Sequence, residues 1–255
     1  MAVLAALFFA TALLYASVGF GGGSTYNALL VLQGVDYRVL PAIALICNVI
    51  VVAGGAMRHQ AAGNIDWARI WPFFAASVPM AWIGGLLQIP ELAFIGVLGG
   101  ALVAAGLNLL LASPTGTAAE KRDLGTARSA AVGGALGLLA GLVGIGGGIF
   151  LAPILHMTRW GSAQAIAATC STFILINSLS GLAGQFAKLE DLGQLAQLRV
   201  YWPLFPAVLI GGQIGGALSL ARLSEATMRR LTAALVLFVG LRLCLRFFRD
   251  AAALV

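Results

Sequence analysis

Along its 255 residues the chain alternates long apolar stretches with short polar breaks. The apolar stretches cover 2–18, 39–57, 70–87, 92–112, 129–143, 163–187, 201–221 and 231–245. Most approach the roughly 20 residues that an α-helix needs to cross a hydrocarbon core. The short alternating strands of a membrane β-barrel do not appear. The pattern predicts an all-α polytopic membrane protein with about eight transmembrane helices. The longest polar break, 113–127, separates a first four-helix repeat, 1–112, from a second, 128–255.

The halves echo one another. Gly19-Phe20-Gly21-Gly22-Gly23 is matched by Gly144-Ile145-Gly146-Gly147-Gly148. Downstream, Asn48 answers Asn177, Trp71-Pro72 answers Trp202-Pro203, Gly84-Gly85 answers Gly215-Gly216, and Gly106-Leu107 answers Gly240-Leu241. Landmarks in one order along both halves mark an internal duplication. The first stretch of each half, with the piece after its glycines, is too long for one straight crossing at about 1.5 Å per residue. It is therefore broken at the GxGGG motif or re-entrant there. A broken helix that crosses gives parallel halves, and a re-entrant one gives inverted halves. Charge does not decide between them, and the reading leans to eight crossings.

Composition agrees with the pattern. The chain is 60% hydrophobic and 9% charged, with mean hydropathy +0.98. The net charge of +6 sits at helix ends, where it anchors to lipid headgroups, so it does not indicate nucleic acid. Cys47, Cys170 and Cys244 are dispersed and suggest neither disulfide nor metal site. The first stretch lacks a basic leader and is read as a retained membrane segment.

Consecutive glycines allow close approach of backbone to a ligand. They also open the N-terminus of the half-helix that follows, where unpaired N–H groups favour an anion. The candidate binding residues are Gly21, Gly22, Gly23, Ser24, Thr25 and Asn48 in the first half, and Gly146, Gly147, Gly148 and Asn177 in the second. Irregular backbone inside a membrane normally lines a cavity. Gly84-Gly85 and Gly215-Gly216 lie in uninterrupted stretches and fit helix packing better. Asn48 and Asn177 serve equally well as anion donors or as hydrogen bonds between helices. Arg58 and His59 could make an electropositive vestibule, though a solvated helix end explains them as well. No Asp or Glu lies within an apolar stretch to relay protons.

The paired GxGGG motifs, the Asn in the following helix, and the runs from Gly141 to Gly148 and from Asn177 to Gly181 resemble the TauE/SafE sulfite exporter family. The resemblance covers nearly the whole chain. It implies a multi-pass protein of the bacterial inner membrane that moves sulfite, organosulfonates or related sulfur-containing anions. The first motif departs from the second in Phe20 and in Ser24-Thr25 after it, so the symmetry of the site is left open.

The main expectation is an exporter driven by membrane potential, with a small anionic substrate, the lipid bilayer as its other partner, and no cofactor, metal or catalytic residue. An inside-negative potential drives an anion outward by about 2.3 kcal/mol per charge per 100 mV, so export needs no coupling ion. The alternative is an ion-coupled uptake permease for a similar anion. An intramembrane hydrolase using Ser24 would need a base within reach, and only His59 and His156 exist. A metal-cation permease lacks clustered carboxylate, His or Cys ligands. A purely structural subunit would not need a broken backbone. Assembly as a homo-oligomer is left open.

Overall fold

The computed structural model describes residues 1–17, 19–111, 124–218 and 225–253. Most of the predicted connection 113–127 and the end of the stretch 201–221 lie outside the described residues. The fold is all-α. Its helices are α1 Ala2–Ser17, α2 Gly23–Leu32, α3 Leu40–Ala61, α4 Trp67–Leu86, α5 Glu91–Leu111, α6 Thr126–Val143, α7 Gly148–Met157, α8 Ala163–Asp191, α9 Leu204–Leu218 and α10 Glu225–Ala252. A 3-10 helix, Leu195–Tyr201, precedes α9. Among the described residues α3, α5, α6 and most of α8 are long and apolar enough to cross a membrane, and α1, α7 and most of α9 form shorter apolar helices.

Local chemistry sets several boundaries. Asp66 caps α4, its side chain accepting from the Arg69 N–H at 3.3 Å. Ser162 caps α8 in the same way through the Ala165 N–H at 3.2 Å. The stretch 201–221 does not form a single helix. The 3-10 helix ends at Tyr201 and α9 begins at Leu204, while Trp202 between them keeps right-handed helical backbone angles (φ -53°, ψ -32°).

Glycines bring the helices to backbone contact. Gly133, Gly137 and Gly141 of α6 lie against the carbonyls of Phe73, Ser77 and Ala81 of α4, so these two helices run parallel. Gly211 and Gly215 of α9 lie against the carbonyls of Phe9 and Leu13 of α1, again parallel. Gly84 meets the Leu138 carbonyl and Gly85 the Gly181 carbonyl. Such small-residue contacts are how helices pack without a hydrophobic driving force between them. In contrast, α5 and α10 run antiparallel, with Gly96 near Phe247 and Gly106 near Leu237.

At both GxGGG motifs the chain reverses. Tyr26 of α2 stacks on Phe8 at 4.7 Å between ring centroids, more than two turns before the end of α1. Gly22 already lies level with Thr11 and Tyr15. A helix continuing forward would carry Tyr26 away from Phe8. In the second half Gly147 lies beside Leu136 and Ala140 of α6, and Leu151 and Leu155 belong to the apolar cluster against which Val132 and Leu136 pack. The leaning toward a forward crossing is therefore not met. The positive φ of Gly22 (86°) and Gly147 (76°) starts each return helix, a conformation disfavoured for residues with a Cβ.

The two hairpins point in opposite directions. The first opens at the end of the bundle where α1 begins, the near face. There Asp36, just after α2, lines a cavity with Glu91 and Arg246, and the last two are ion-paired at 2.7 Å. The second opens at the far face, where Gly63 and Asp66 between α3 and α4 meet Trp160 and Gly161 after α7.

Candidate functional site

The tips of the two hairpins meet around Asn48, halfway along α3. A β-carbon built on Gly21 falls 2.6 Å from Asn48 Oδ1. One built on Gly23 falls 2.6 Å from both Asn48 Nδ2 and the backbone oxygen of Ile145. One built on Gly146 falls 2.9 Å from Asn48 Nδ2 and 3.0 Å from Ile174 Cγ2. These glycines are required by close approach: no side chain fits between the motifs and the amide. Asn48 is fully buried and donates to the Gly144 oxygen at 3.5 Å, a long bond.

Of the residues expected from sequence, Gly21, Gly23, Gly146 and Asn48 come together. Gly148 belongs to the same cluster through Ile174. Gly22 and Gly147 serve the return of the chain and face back, toward Tyr15 and Tyr26 and toward Phe173 respectively. Ser24 and Thr25 are buried in the first turn of α2, where the Thr25 hydroxyl shares a 2.9 Å hydrogen bond with Tyr15. Asn177 is buried, and its amide donates to the Phe173 carbonyl of its own helix at 2.8 Å.

The centre is polar and uncharged. The first turns of α2 and α7 present N–H groups that have no partner within their own helices. Both helix ends carry partial positive charge. Three buried polar atoms nearby on α3 and α8, Asn48 Oδ1, Asn177 Oδ1 and Ser178 Oγ, have no hydrogen-bond partner among the described residues. An amide held as loosely as that of Asn48 can turn its NH2 toward an acceptor. The arrangement can therefore offer N–H and O–H donors to a small anion. Its burial closes it to both faces in this conformation.

Three residues outside the candidate binding set also shape this centre. Ile174 wedges against Gly21, Gly146 and Gly148 at once, and nothing separates it in the sequence from an ordinary core isoleucine. Ser178 lies 3.3 Å from the Gly146 β-position. Asn27 donates to the Val143 carbonyl at 2.7 Å, tying α2 to the end of α6. Its signal was legible: an amide in an apolar stretch, just after a glycine motif.

Buried polar groups between opposed broken helices, in an otherwise apolar bundle, define a helical membrane transporter. Comparison with known proteins gives the same class. The chain belongs to the TauE/SafE family: the family model described as "Sulfite exporter TauE/SafE" matches residues 3–243. It is similar to the probable membrane transporter protein y4hK of Sinorhizobium fredii (strain NBRC 101917 / NGR234), with 32% identity over 243 residues, covering 94% of this chain and 96% of that one. It is also similar to the probable membrane transporter protein MamO of Paramagnetospirillum magneticum (strain ATCC 700264 / AMB-1), with 24% identity over 238 residues. That match covers 78% of this chain and 37% of MamO. No solved structure matches the chain.

Proposed function

We propose that this transporter exports sulfite, an organosulfonate or a related small sulfur-containing anion across the bacterial inner membrane, driven by the membrane potential. The observation that carries the proposal is the meeting of Gly23 and Gly146 on the Asn48 amide, which sets two half-helix N-termini about one buried point. The substrate-binding set is Gly21, Gly23, Ser24, Asn48, Gly146, Gly148 and Ser178. Gly22 and Gly147 shape the backbone, Thr25 braces α2 through Tyr15, and Asn177 supplies a buried carbonyl oxygen.

In this reading residues 1–112 and 128–255 form inverted repeats joined by 113–127. Each contributes one re-entrant hairpin and three crossings, which makes six crossings in all. The exchange of partners supports it, since α4 packs parallel to α6 as α9 does to α1. Helix ends and turns at the far face carry Arg58, Arg69, Arg128, Arg159, Arg229 and Arg230, and Lys121, Arg122 and Arg222 lie outside the described residues, in the sequence between far-face helix ends. The near face has Arg38, Lys188, Arg199, Arg246 and Arg249. The positive-inside rule then puts the far face in the cytoplasm.

The test is sulfite-driven current in proteoliposomes, with chloride, sulfate and taurine for comparison. The proposal expects a saturable current selective for a sulfur oxyanion without a proton or sodium gradient. A current that requires such a gradient would replace export with coupled uptake.

A further inference from the structure

Lys188 is the one charged residue that is buried among the described residues, with 6% of its surface exposed. It stands three residues before the end of α8, at the near face. A lysine so close to the end of a crossing helix ordinarily snorkels outward and keeps its ammonium in water. Lys188 does not. A helical side chain covers the turn N-terminal to its own Cα. Because α8 starts at the far face, Lys188 is directed back toward the centre. Its side chain has no ion pair or hydrogen bond among the described residues. Glu190 and Asp191, the acids nearest to it in sequence, are exposed. A buried ammonium without a counter-ion is costly.

The place of Lys188 follows from α3 and α8, which run antiparallel. Around the first tip, His59 Nε2 of α3 lies 3.9 Å from the Gly19 β-position and Ser171 Oγ of α8 lies 3.4 Å from it. Farther toward the near face, Leu45 Cδ1 of α3 lies 3.4 Å from the β-position of Gly181 in α8. One turn beyond Gly181, Gln185 donates to the Gly141 carbonyl at 2.7 Å. One turn before Leu45 stands Pro41, whose backbone packs on Gly144. Gln185 and Pro41 therefore share the level of the second tip, and Lys188, on the next turn, reaches back to that level. The two halves correspond here. His59 stands eleven residues after Asn48, and Lys188 eleven residues after Asn177. His59 borders Gly19, which opens the first motif, and Lys188 approaches Gly144, which opens the second. The pair puts an imidazole on the far side of the centre and an ammonium on the near side.

We propose that Lys188 is the release-side site for the transported oxyanion: the anion leaves Asn48, pairs with the Lys188 ammonium beside Gly144, and passes from there to the near face. The proposal rests on the reading that a small oxyanion is the cargo. The cargo is then the counter-ion that the buried ammonium lacks. A lysine presents a compact charge without the planar fork by which arginine holds an oxyanion at two points, which suits a place of release. The site is one-sided. An anion offered at the near face meets Lys188 before the centre, and one offered at the far face meets it only afterwards.

The experiment measures exchange of radiolabelled sulfite into membrane vesicles loaded with saturating unlabelled sulfite, for the wild type, K188Q, K188M, K188R and N48A. Vesicles with the near face outward are identified by A2C, which an impermeant maleimide then labels from outside. Loss of a hydrogen bond to a charged group corresponds to a rise of about tenfold or more in half-saturating concentration. K188Q and K188M should show that rise with the near face outward and not with the far face outward. K188R should recover part of it. In detergent without sulfite, K188M should melt at a higher temperature than the wild type, because an apolar side chain replaces a buried, unpaired charge. Wild-type half-saturation in K188Q with the near face outward, or equal rises in both orientations, would overturn the release site. A lower melting temperature in K188M would also overturn it, by showing Lys188 to be paired in the empty protein. If K188Q shifts the near-face value alone while N48A exchanges normally, the central site fails and Lys188 stands. If N48A is impaired and K188Q is not, the centre stands and Lys188 is removed. A wild type that exchanges none of sulfite, sulfate and taurine would overturn both. Should K188Q give no monodisperse peak in detergent, K188M and K188R decide.

Discussion

Gly23 offers the sharpest perturbation of the hairpin contact. Its φ is not positive, and it stands at the start of α2, so Ala is sterically allowed by the backbone. On helix propensity alone, Ala in place of Gly within a helix is favourable by about 1 kcal/mol. The obstacle is tertiary. The added methyl would sit 2.6 Å from the Ile145 carbonyl oxygen and 2.6 Å from Asn48 Nδ2. The Asn48 side chain can rotate away. The Ile145 carbonyl belongs to the opposite motif and can retreat only if the second hairpin moves.

Overpacking of this kind costs about 1–3 kcal/mol. That cost falls only on the conformation in which the tips touch. The same 1–3 kcal/mol lowers the population of that conformation by about 5- to 150-fold relative to states with the tips apart. Gly23→Ala should therefore insert normally and lose most of its transport rate. Gly100→Ala is the matched control, because nothing lies within 4 Å of its β-position and it is interior to α5. It should keep full transport and melt at the same temperature or slightly higher. Initial sulfite flux in proteoliposomes, normalised to folded protein, reads both. Wild-type flux in Gly23→Ala would refute the idea that transport passes through a state with the tips in contact.

Two further outcomes follow from the same geometry. Asn48→Ala should reduce flux by at least about tenfold, the size of a lost donor to a charged group. Asn177→Ala should cost less than Asn48→Ala, because the Asn177 amide donates within its own helix; equal losses would show a site more symmetric than the structure. For topology, single cysteines at Ala2 and Gln33, both exposed, should react with a membrane-impermeant maleimide from the same side, in a background where the half-buried Cys244 is Ser. Labelling from opposite sides would restore the forward crossing.

The sequence reached the all-α class because lipid enforces it. Apolar length and paired glycines are written residue by residue. Direction at a glycine motif is not. Gly19–Gly23 is equally compatible with a chain that runs on and one that turns back, and the deciding contacts, Phe8 with Tyr26 and Gly147 with Leu136, are between residues with no distinguishing local pattern. The same limit separates the site residues. Asn48 and Asn177 hold matching positions in the sequence, yet one faces both motifs and the other bonds to its own helix. Which face of a helix meets the centre depends on register between halves, and that register drifts along the chain.

That drift has a mechanical consequence. Were the repeats perfect copies, each hairpin tip would see the same neighbours and neither face would be preferred. Here the first tip meets His59 and Ser171, which are polar and can part, whereas the second is clamped by the Pro41 backbone and by Asn27 bonded to Val143 at 2.7 Å. A buried amide–carbonyl bond left unmade costs about 1–3 kcal/mol. Parting at the second tip must break that bond, and parting at the first must break the hydrogen bond from the Ser171 hydroxyl to the Gly19 carbonyl. In the proposed export cycle the contacts of the anion itself replace the bond that is broken. The membrane potential, about 2.3 kcal/mol per charge at 100 mV, is of the same size as that cost.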